Sequence, residues 1–366
     1  MRVPNQPEAI RLGLLLGLVG VVTLLLGMAF SPARVWANAL VSALLIGGVA
    51  VGSLALAAAE DAAGSAWSAS FRQVPASLSR GLTVTTVLMA LILLRHPTLY
   101  PWGRDAGASI AGTLPAWIQM VGRSAAYLAL WLAGAFVLMP DRGQRPGPMP
   151  GSAVFLVACA ATVWMAGSDW VVSLSAQWFS PVLGVFVAAS FLVAAAASIA
   201  LVAAVLKTCV LADRVTDRQI EGLGWLLLAA AGFWFYIWYC LYTSRHYTVI
   251  PDEMRWFATR LSGGWKLWFF FAPVLVAGVP ALGLLSAPRQ RYQGRLAAVS
   301  AVAVLGSWVN LYMLVVPSID RSASLPSVWE LGMVIGTLGV FVVLTALGLK
   351  RPEDACPIPV APSQPA

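Results

Sequence analysis

Several polar residues stand inside or beside long apolar runs, where an ionisable side chain is costly and a functional role is the first reading to consider. Arg123 and Tyr127 are four residues apart in RSAAYLALW, so a helix would set both on one face. Asp169 closes a fifth apolar run in GSDWVVSLSAQWFS, and Asn310 and Tyr312 lie in WVNLYMLVVPS, towards the end of a ninth. The segment SRHYTVIPDEMRWFATR adds Arg245, His246, Tyr247, Asp252, Glu253 and Arg255. Carboxylate, phenol and imidazole are groups that accept and pass on protons, and a guanidinium, always charged, is their counter-ion. Each also has a plainer account. Arg123 reads equally as an arginine snorkelling to the headgroups, Asp169 as a helix-end carboxylate beside Trp170 and Trp178, and Asn310 as a hydrogen-bonding link between helices. Much of 245–260 reads as an ordinary solvated loop.

The elements that must position these groups are membrane-spanning helices. Of 366 residues, 60% are hydrophobic and only 10% charged, and the mean hydropathy is +0.81. Soluble domains run near ~45–50% apolar and ~25% charged, so a water-soluble globule is excluded. A helix crossing the ~30 Å hydrocarbon core needs ~20 mostly apolar residues. That ruler predicts an all-α protein of ten spans, starting near Arg11, Ala37, Ser77, Trp117, Ser152, Pro181, Gly222, Trp265, Leu296 and Val328. Their ends fall near Phe30, Ala59, Leu94, Met139, Gly167, Leu206, Ser244, Ser286, Pro317 and Leu349. Residues 1–10 form a cytoplasmic N-terminal segment, 11–349 the polytopic membrane domain, and 350–366 a disordered cytoplasmic tail. Arg2 and the small residues around Ala37 resemble a signal peptide, but an apolar run of about 19 residues exceeds the ~7–15 of a signal and reads as a span.

With the N-terminus inside, fourteen of the 23 Lys and Arg fall on inner loops and eight on outer ones. The positive-inside bias therefore puts both termini in the cytoplasm and every polar group named above at the outer end. Four cysteines without a CxxC, and two histidines (His96 and His246), exclude a cysteine-ligated cluster and a multi-haem cytochrome. One haem held by both histidines is arithmetically open, but both lie at helix ends, where headgroup-level placement is the simpler account. No P-loop, HExxH, GxSxG or basic–aromatic run for nucleic acid occurs. Gly13/Gly17, Gly48/Gly52 and Gly332/Gly336 have small-xxx-small spacing, a weak signal in a glycine-rich chain, and FWFYIWYCLY from Phe233 reads as lipid-facing or core surface.

Six segments, in order, resemble one family: SAWSASFRQVPASL from Ser65, LYPWG from Leu99, RSAAYLALW from Arg123, DWVVSLSAQWFS from Asp169, YTVIPDEMRWFATR from Tyr247 and WVNLYMLVVPS from Trp308. Together they are similar to the ActF family, the second NrfD-like membrane subunit of bacterial alternative complex III, a quinol:cytochrome c oxidoreductase. The resemblance covers about Arg11 to Leu349. It implies a ten-helix NrfD-like subunit with two four-helix bundles and peripheral helices, in the bacterial inner membrane. It implies as partners a sister NrfD-like subunit, an iron–sulfur subunit and c-type cytochrome subunits. The iron–sulfur clusters and c-type haems would sit on those partners, and the quinol site belongs more naturally to the sister subunit. This chain departs from the pattern at Ser175 and Gln177, where the family usually has an acid and a histidine, at Val249, where it often has asparagine, and at Asn310, where it often has aspartate. Amides and hydroxyls hold no proton at physiological pH, so these departures remove three protonatable groups from a proton route.

The expected function is thus a subunit of a quinol oxidoreductase without a cofactor of its own, metal included, although quinone or quinol binding stays open. It would contribute to the quinol or proton pathway at the periplasmic side. In that role Asp169 would accept the proton, Arg123 would be its counter-ion, and Tyr127 and Tyr312 would donate hydrogen bonds, with Asn310, His246, Asp252 and Glu253 as further candidates. The alternatives are a structural anchor of the same complex and a secondary transporter. The transporter is disfavoured because the polar groups gather at one face rather than at the midplane.

Overall fold

Lipid offers no partner to a backbone amide, so an apolar run long enough to cross it must close its own hydrogen bonds as a helix. The computed structural model describes residues 6–65, 67, 69–100, 109–110, 114–139, 151–175, 180–207, 215–247, 251–286, 292–322 and 324–348. Among them are ten helices long and apolar enough to span a membrane: α1 (Gln6–Phe30), α2 (Pro32–Ala62), α3 (Gln73–Leu94, interrupted at Arg80), α4 (Ala116–Leu138), α5 (Ser152–Trp170), α6 (Pro181–Leu206), α7 (Asp217–Tyr247), and, after the short surface helix α8 (Pro251–Arg260), α9 (Trp265–Leu285), α10 (Tyr292–Ile319) and α11 (Val328–Gly348). The chain is a multi-pass membrane protein whose described residues are helical apart from turns, short connections and one minimal antiparallel pair, β1 (Ser109–Ile110) with β2 (Leu114–Pro115). The N-terminal residues before Gln6, the loop 140–150 and the tail from residue 349 lie outside the described residues.

The hydropathy ruler placed every span, but α1, α2, α3, α7 and α10 begin four or five residues earlier than expected. Their first turns carry Glu8, Arg34, Gln73, Asp217 and Arg295 or their polar neighbours. Such turns are helical yet belong to the headgroup layer, so a test of apolar content cannot see them.

Three helices make the centre. The apolar windows of α2, α10 and α6 are 89%, 78% and 72% buried, against 28% for α1. Around them, α2 packs on α3, α4 and α5, whereas α10 packs on α6, α7 and α9, and α6 also packs on α7. The two sets meet where α2 touches α6 and α10 and where α5 touches α6. Helices α1 and α11 pair with each other on the outside. Lipid is as apolar as leucine, so close packing of small residues replaces the hydrophobic effect as the force between spans. All three glycine pairs read from the sequence serve this purpose. A Cβ on Gly20 would fall 2.6 Å from the Gly336 Cα, and one on Gly13 2.7 Å from the Gly339 carbonyl oxygen, which marks an antiparallel α1–α11 seam. Gly48 and Gly52 seat α2 against Phe191 and Ala195 of α6. The other face of α1 exposes Leu14, Leu15 and Leu18 to the lipid.

Helix α9 holds Pro273 and Pro280 and widens to a π turn over Val274–Gly278, with the Val279 N–H reaching the Val274 carbonyl. A proline lacks the N–H that an α-helix would use, and a π turn is one way to rehouse the freed carbonyls.

Candidate functional site

Asp169 stands in the last turn of α5, and the antiparallel neighbour α4 brings Arg123 and Tyr127 to it from the start of that helix. Arg123 grips the carboxylate with two parallel bonds, Nε to Oδ2 at 2.8 Å and Nη2 to Oδ1 at 2.8 Å. The Tyr127 hydroxyl donates to Oδ2 at 2.8 Å. The i, i+4 spacing of Arg123 and Tyr127 delivers both donors to one acid, and the fork of the guanidinium matches the carboxylate plane. Arg123 therefore does not snorkel away alone; it is the counter-ion of Asp169. The Asp169 side chain keeps 15% of its exposure and Arg123 36%, so the pair opens on the surface at one side.

The other side is an aromatic wall. Tyr127 stacks on Trp131 at 6.4 Å between ring centroids, and Trp131 meets Trp170 edge-on at 5.7 Å. Both indoles are anchored: Trp170 Nε1 donates to the Ser124 hydroxyl at 2.9 Å and Trp131 Nε1 to the Thr162 hydroxyl at 3.0 Å. Tyr100, just outside the spans, donates its hydroxyl to the Trp170 carbonyl at 3.1 Å, and burial pushes its pKa up, keeping the proton that makes this bond. The Ser173 hydroxyl donates to the Asp169 backbone carbonyl and closes the helix end. A carboxylate has room for about four hydrogen bonds. Among the described residues three side-chain donors reach Asp169, and none fills a fourth acceptor position.

Tyr312 is elsewhere. It lies on α10, stacked on Trp308 at 5.4 Å and packed on Trp265 at 5.4 Å, within electrostatic reach of Arg34 and Glu330 rather than of Asp169. Those two residues form a second ionic centre at the same end of the molecule, where α2 and α11 begin. Glu330 Oε1 accepts from Arg34 Nε at 2.6 Å and from Asn38 Nδ2 at 2.8 Å; Oε2 accepts from the Ser327 N–H and hydroxyl, both at 2.6 Å. Ser327 and Glu330 are three residues apart, the spacing of a capping box, so the carboxylate that ends in the ion pair also starts α11. Arg34 Nη2 reaches on to the Leu325 carbonyl at 2.8 Å.

Asn310 is a helix link. Its Nδ2 donates to the Ser190 hydroxyl at 2.9 Å, which also receives Trp234 Nε1 at 2.9 Å, tying α10, α6 and α7 in the core. His246 falls in the last turn of α7, and Asp252 and Glu253 in the first turn of α8, which brings their backbones to the same end as Asp169. Ser175 follows the 3-10 turn Val172–Leu174 and is half-buried; Gln177 and Val249 lie outside the described residues.

One buried cation escaped the sequence reading. Arg260, at the end of α8, is 1% exposed and donates to the Met313 and Leu314 carbonyls of α10 and to the Ser318 hydroxyl, with its guanidinium 3.8 Å from the centre of the Trp256 ring. Pro317, four residues after Met313, has no N–H for that carbonyl, and Arg260 Nε supplies the missing donor at 3.2 Å. Burial pulls the Arg260 pKa down, but four acceptors, the Trp256 carbonyl included, and a ring face keep the cation solvated. Among the described residues no group of three or more His, Cys, Asp or Glu could hold a metal ion. No protein-family model matches the chain, and no curated protein matches it.

Proposed function

We propose that this chain is a cofactor-free membrane subunit of a quinol-oxidising respiratory complex, with Asp169 as a proton acceptor at the end where α4 and α5 meet. The observation that carries the reading is the unfilled acceptor position on a carboxylate that Arg123 and Tyr127 already fix. A quinol hydroxyl or a water could donate there, beside an aromatic wall suited to a planar ring. Oxidation of one quinol releases two electrons and two protons. The electrons would pass to iron–sulfur and c-type haem centres on partner subunits, and a proton would leave by Asp169. What supports an NrfD-like plan is the neighbour relations of α2 with α3, α4 and α5, of α10 with α6, α7 and α9, and of α1 with α11. On this reading the membrane is a bacterial inner membrane, both termini are cytoplasmic, and the Asp169 end is periplasmic.

A structural anchor of the same complex is the second reading, and the core favours it. The link between α6, α7 and α10 is made by Asn310, Ser190 and Trp234, none of which carries a proton across neutral pH. Purification of the tagged chain from native membranes in mild detergent, with a subunit census and a redox difference spectrum, tests both. Co-purifying c-type haem and an iron–sulfur protein would support the complex; a lone, colourless protein would sink it. In the assembled complex, Asp169→Asn should cut quinol oxidation and the proton release coupled to it. Unchanged turnover would leave the anchor.

A further inference from the structure

Beneath the Arg34–Glu330 pair, three buried polar groups are left over. Asn38, one turn past Arg34 on α2, gives its amide nitrogen to the Arg34 carbonyl at 2.8 Å and to Glu330 Oε1 at 2.8 Å. Both partners are acceptors, so the nitrogen faces them and Oδ1 faces the other way. That oxygen is buried and, among the described residues, receives no hydrogen bond. Ser42, four residues further along α2, lies on the same helical face, and its hydroxyl is buried and unpaired as well. A buried serine in a helix usually turns to its own chain. The hydroxyls of Ser53, Ser190 and Ser307 do so, each donating to the carbonyl four residues back at 2.7, 2.8 and 2.9 Å. Ser42 does not.

The third group is a donor on α10, which packs on α2. Trp308 Nε1 is buried and unpaired, and its indole stacks on Tyr312, which is within electrostatic reach of Arg34 and Glu330. Helix α2 runs away from that ion pair and α10 runs towards it. At ~1.5 Å per residue, Ser42 lies ~12 Å past Arg34 and Trp308 ~6 Å before Tyr312, both on the inner side of the pair. Asn310 Oδ1 is unpaired too, but that amide belongs to the link with Ser190 on α6.

The three groups are complementary in kind. Trp308 offers one N–H, Asn38 one carbonyl oxygen, and Ser42 a hydroxyl that donates or accepts. Buried polar groups in native proteins pair with protein or with ordered water, because leaving them unpaired is destabilising. A water that accepts from the indole and bonds to the amide oxygen and the hydroxyl makes three bonds, the number (~3) typical of a buried water. An ion suits the set less well: the indole N–H repels a cation, and Asn38 Oδ1 repels an anion, with Glu330 on the other end of the same amide. Asn38, Ser42 and Trp308 are 0%, 1% and 7% exposed, which leaves a larger ligand no entry.

We propose that a buried water molecule is bound between α2 and α10, held by Trp308 Nε1, Asn38 Oδ1 and the Ser42 hydroxyl. It ties α2 to α10 on the inner side of the ion pair, as Glu330 ties α2 to α11. The site uses neither Asp169 nor a quinol, so it stands or falls independently of the proposed function.

X-ray radiolytic labelling of the full-length protein in detergent, read by mass spectrometry, tests the proposal. Radiolysis of a bound water releases hydroxyl radical at the side chain beside it. Trp308 should therefore be oxidised several-fold faster than Trp36, which at 6% exposure is equally shielded. It should also outpace Trp131 and Trp234, whose indoles are bonded to Thr162 and Ser190. In Ser42→Val, where a methyl takes the place of the hydroxyl, the excess labelling of Trp308 should be lost. Ser42→Ala should lower the melting temperature by about 1–2 °C, because it removes a bond of the water, whereas removing a hydroxyl without any partner would raise it. Labelling of Trp308 no faster than that of Trp36 overturns the proposal. So does excess labelling that survives in Ser42→Val, or a melting temperature of Ser42→Ala at or above that of wild type. The comparison of Trp308 with Trp36 is made in the unaltered chain, so it decides the matter even if a variant fails to fold.

Discussion

Two carboxylates sit at the same end of this molecule, each gripped by an arginine, and they differ in exposure and in how many donors reach them. Glu330 is wholly buried and receives four hydrogen bonds, from Arg34, Asn38 and twice from Ser327. One donor is a backbone N–H, so the acid is fixed to the start of its own helix. Asp169 keeps 15% of its exposure and receives three bonds from the described residues, all three from side chains of a neighbouring helix. A saturated acid without solvent has no site left for a substrate proton; an unsaturated one at the surface does. Ion-pair geometry alone does not separate the two. Saturation and exposure do.

The comparison breaks most visibly at Glu330. Removing one partner of a buried pair strands the other charge and typically costs about 3–5 kcal/mol. Glu330→Ala should approach that figure, since α11 loses its capping box in the same stroke, and thermal unfolding in detergent would read it. The double variant Arg34→Ala/Glu330→Ala should be less damaging than the sum of the two singles, because no charge remains stranded. Strict additivity would mean that the contact is incidental to the seating of α11. Neither variant should touch Asp169.

Arg123→Ala should cost less, about 1–2 kcal/mol, because water reaches the carboxylate it leaves behind. On the quinol reading its effect on turnover should exceed its effect on stability, the reverse of Glu330→Ala. A matched loss of both would reduce the Arg123–Asp169 pair to a second clamp.

The sequence was clear about the first centre and silent about the second, for a physical reason. Arg123, Tyr127 and Asp169 interrupt apolar runs, and an interruption is visible whenever the surroundings are uniform. Arg34 and Glu330 lie in the first turns of their spans, where charge is ordinary, so nothing marks Glu330 as buried or Arg34 as its partner. The S-x-x-E spacing of Ser327 and Glu330 was the available signal, and it predicts a helix start without naming Arg34 as a third member. Tyr312 was expected beside Asp169 because both fall at one end of the membrane; depth was legible, but position around the bundle was not. Arg260 needed a tertiary fact, that a carbonyl freed by Pro317 comes within its reach. The ten spans were legible because length and apolarity are imposed by the bilayer on each segment separately.

The smallest expected effect is the sharpest test of the difference between the centres. Tyr127→Phe deletes one hydroxyl and leaves the ring stacked on Trp131, so packing is nearly conserved. The lost bond to a charged acceptor should cost about 1 kcal/mol in thermal unfolding. Asp169 would then hold only the two Arg123 bonds, and its freed Oδ2 position would be open to water. If the carboxylate takes a proton from a donor outside the chain, an additional acceptor position changes how that donor is oriented, and quinol turnover should fall by more than the stability loss accounts for. If Asp169 merely joins α5 to α4, as Glu330 joins α11 to α2, the hydroxyl is one of several interchangeable ties and turnover should follow stability.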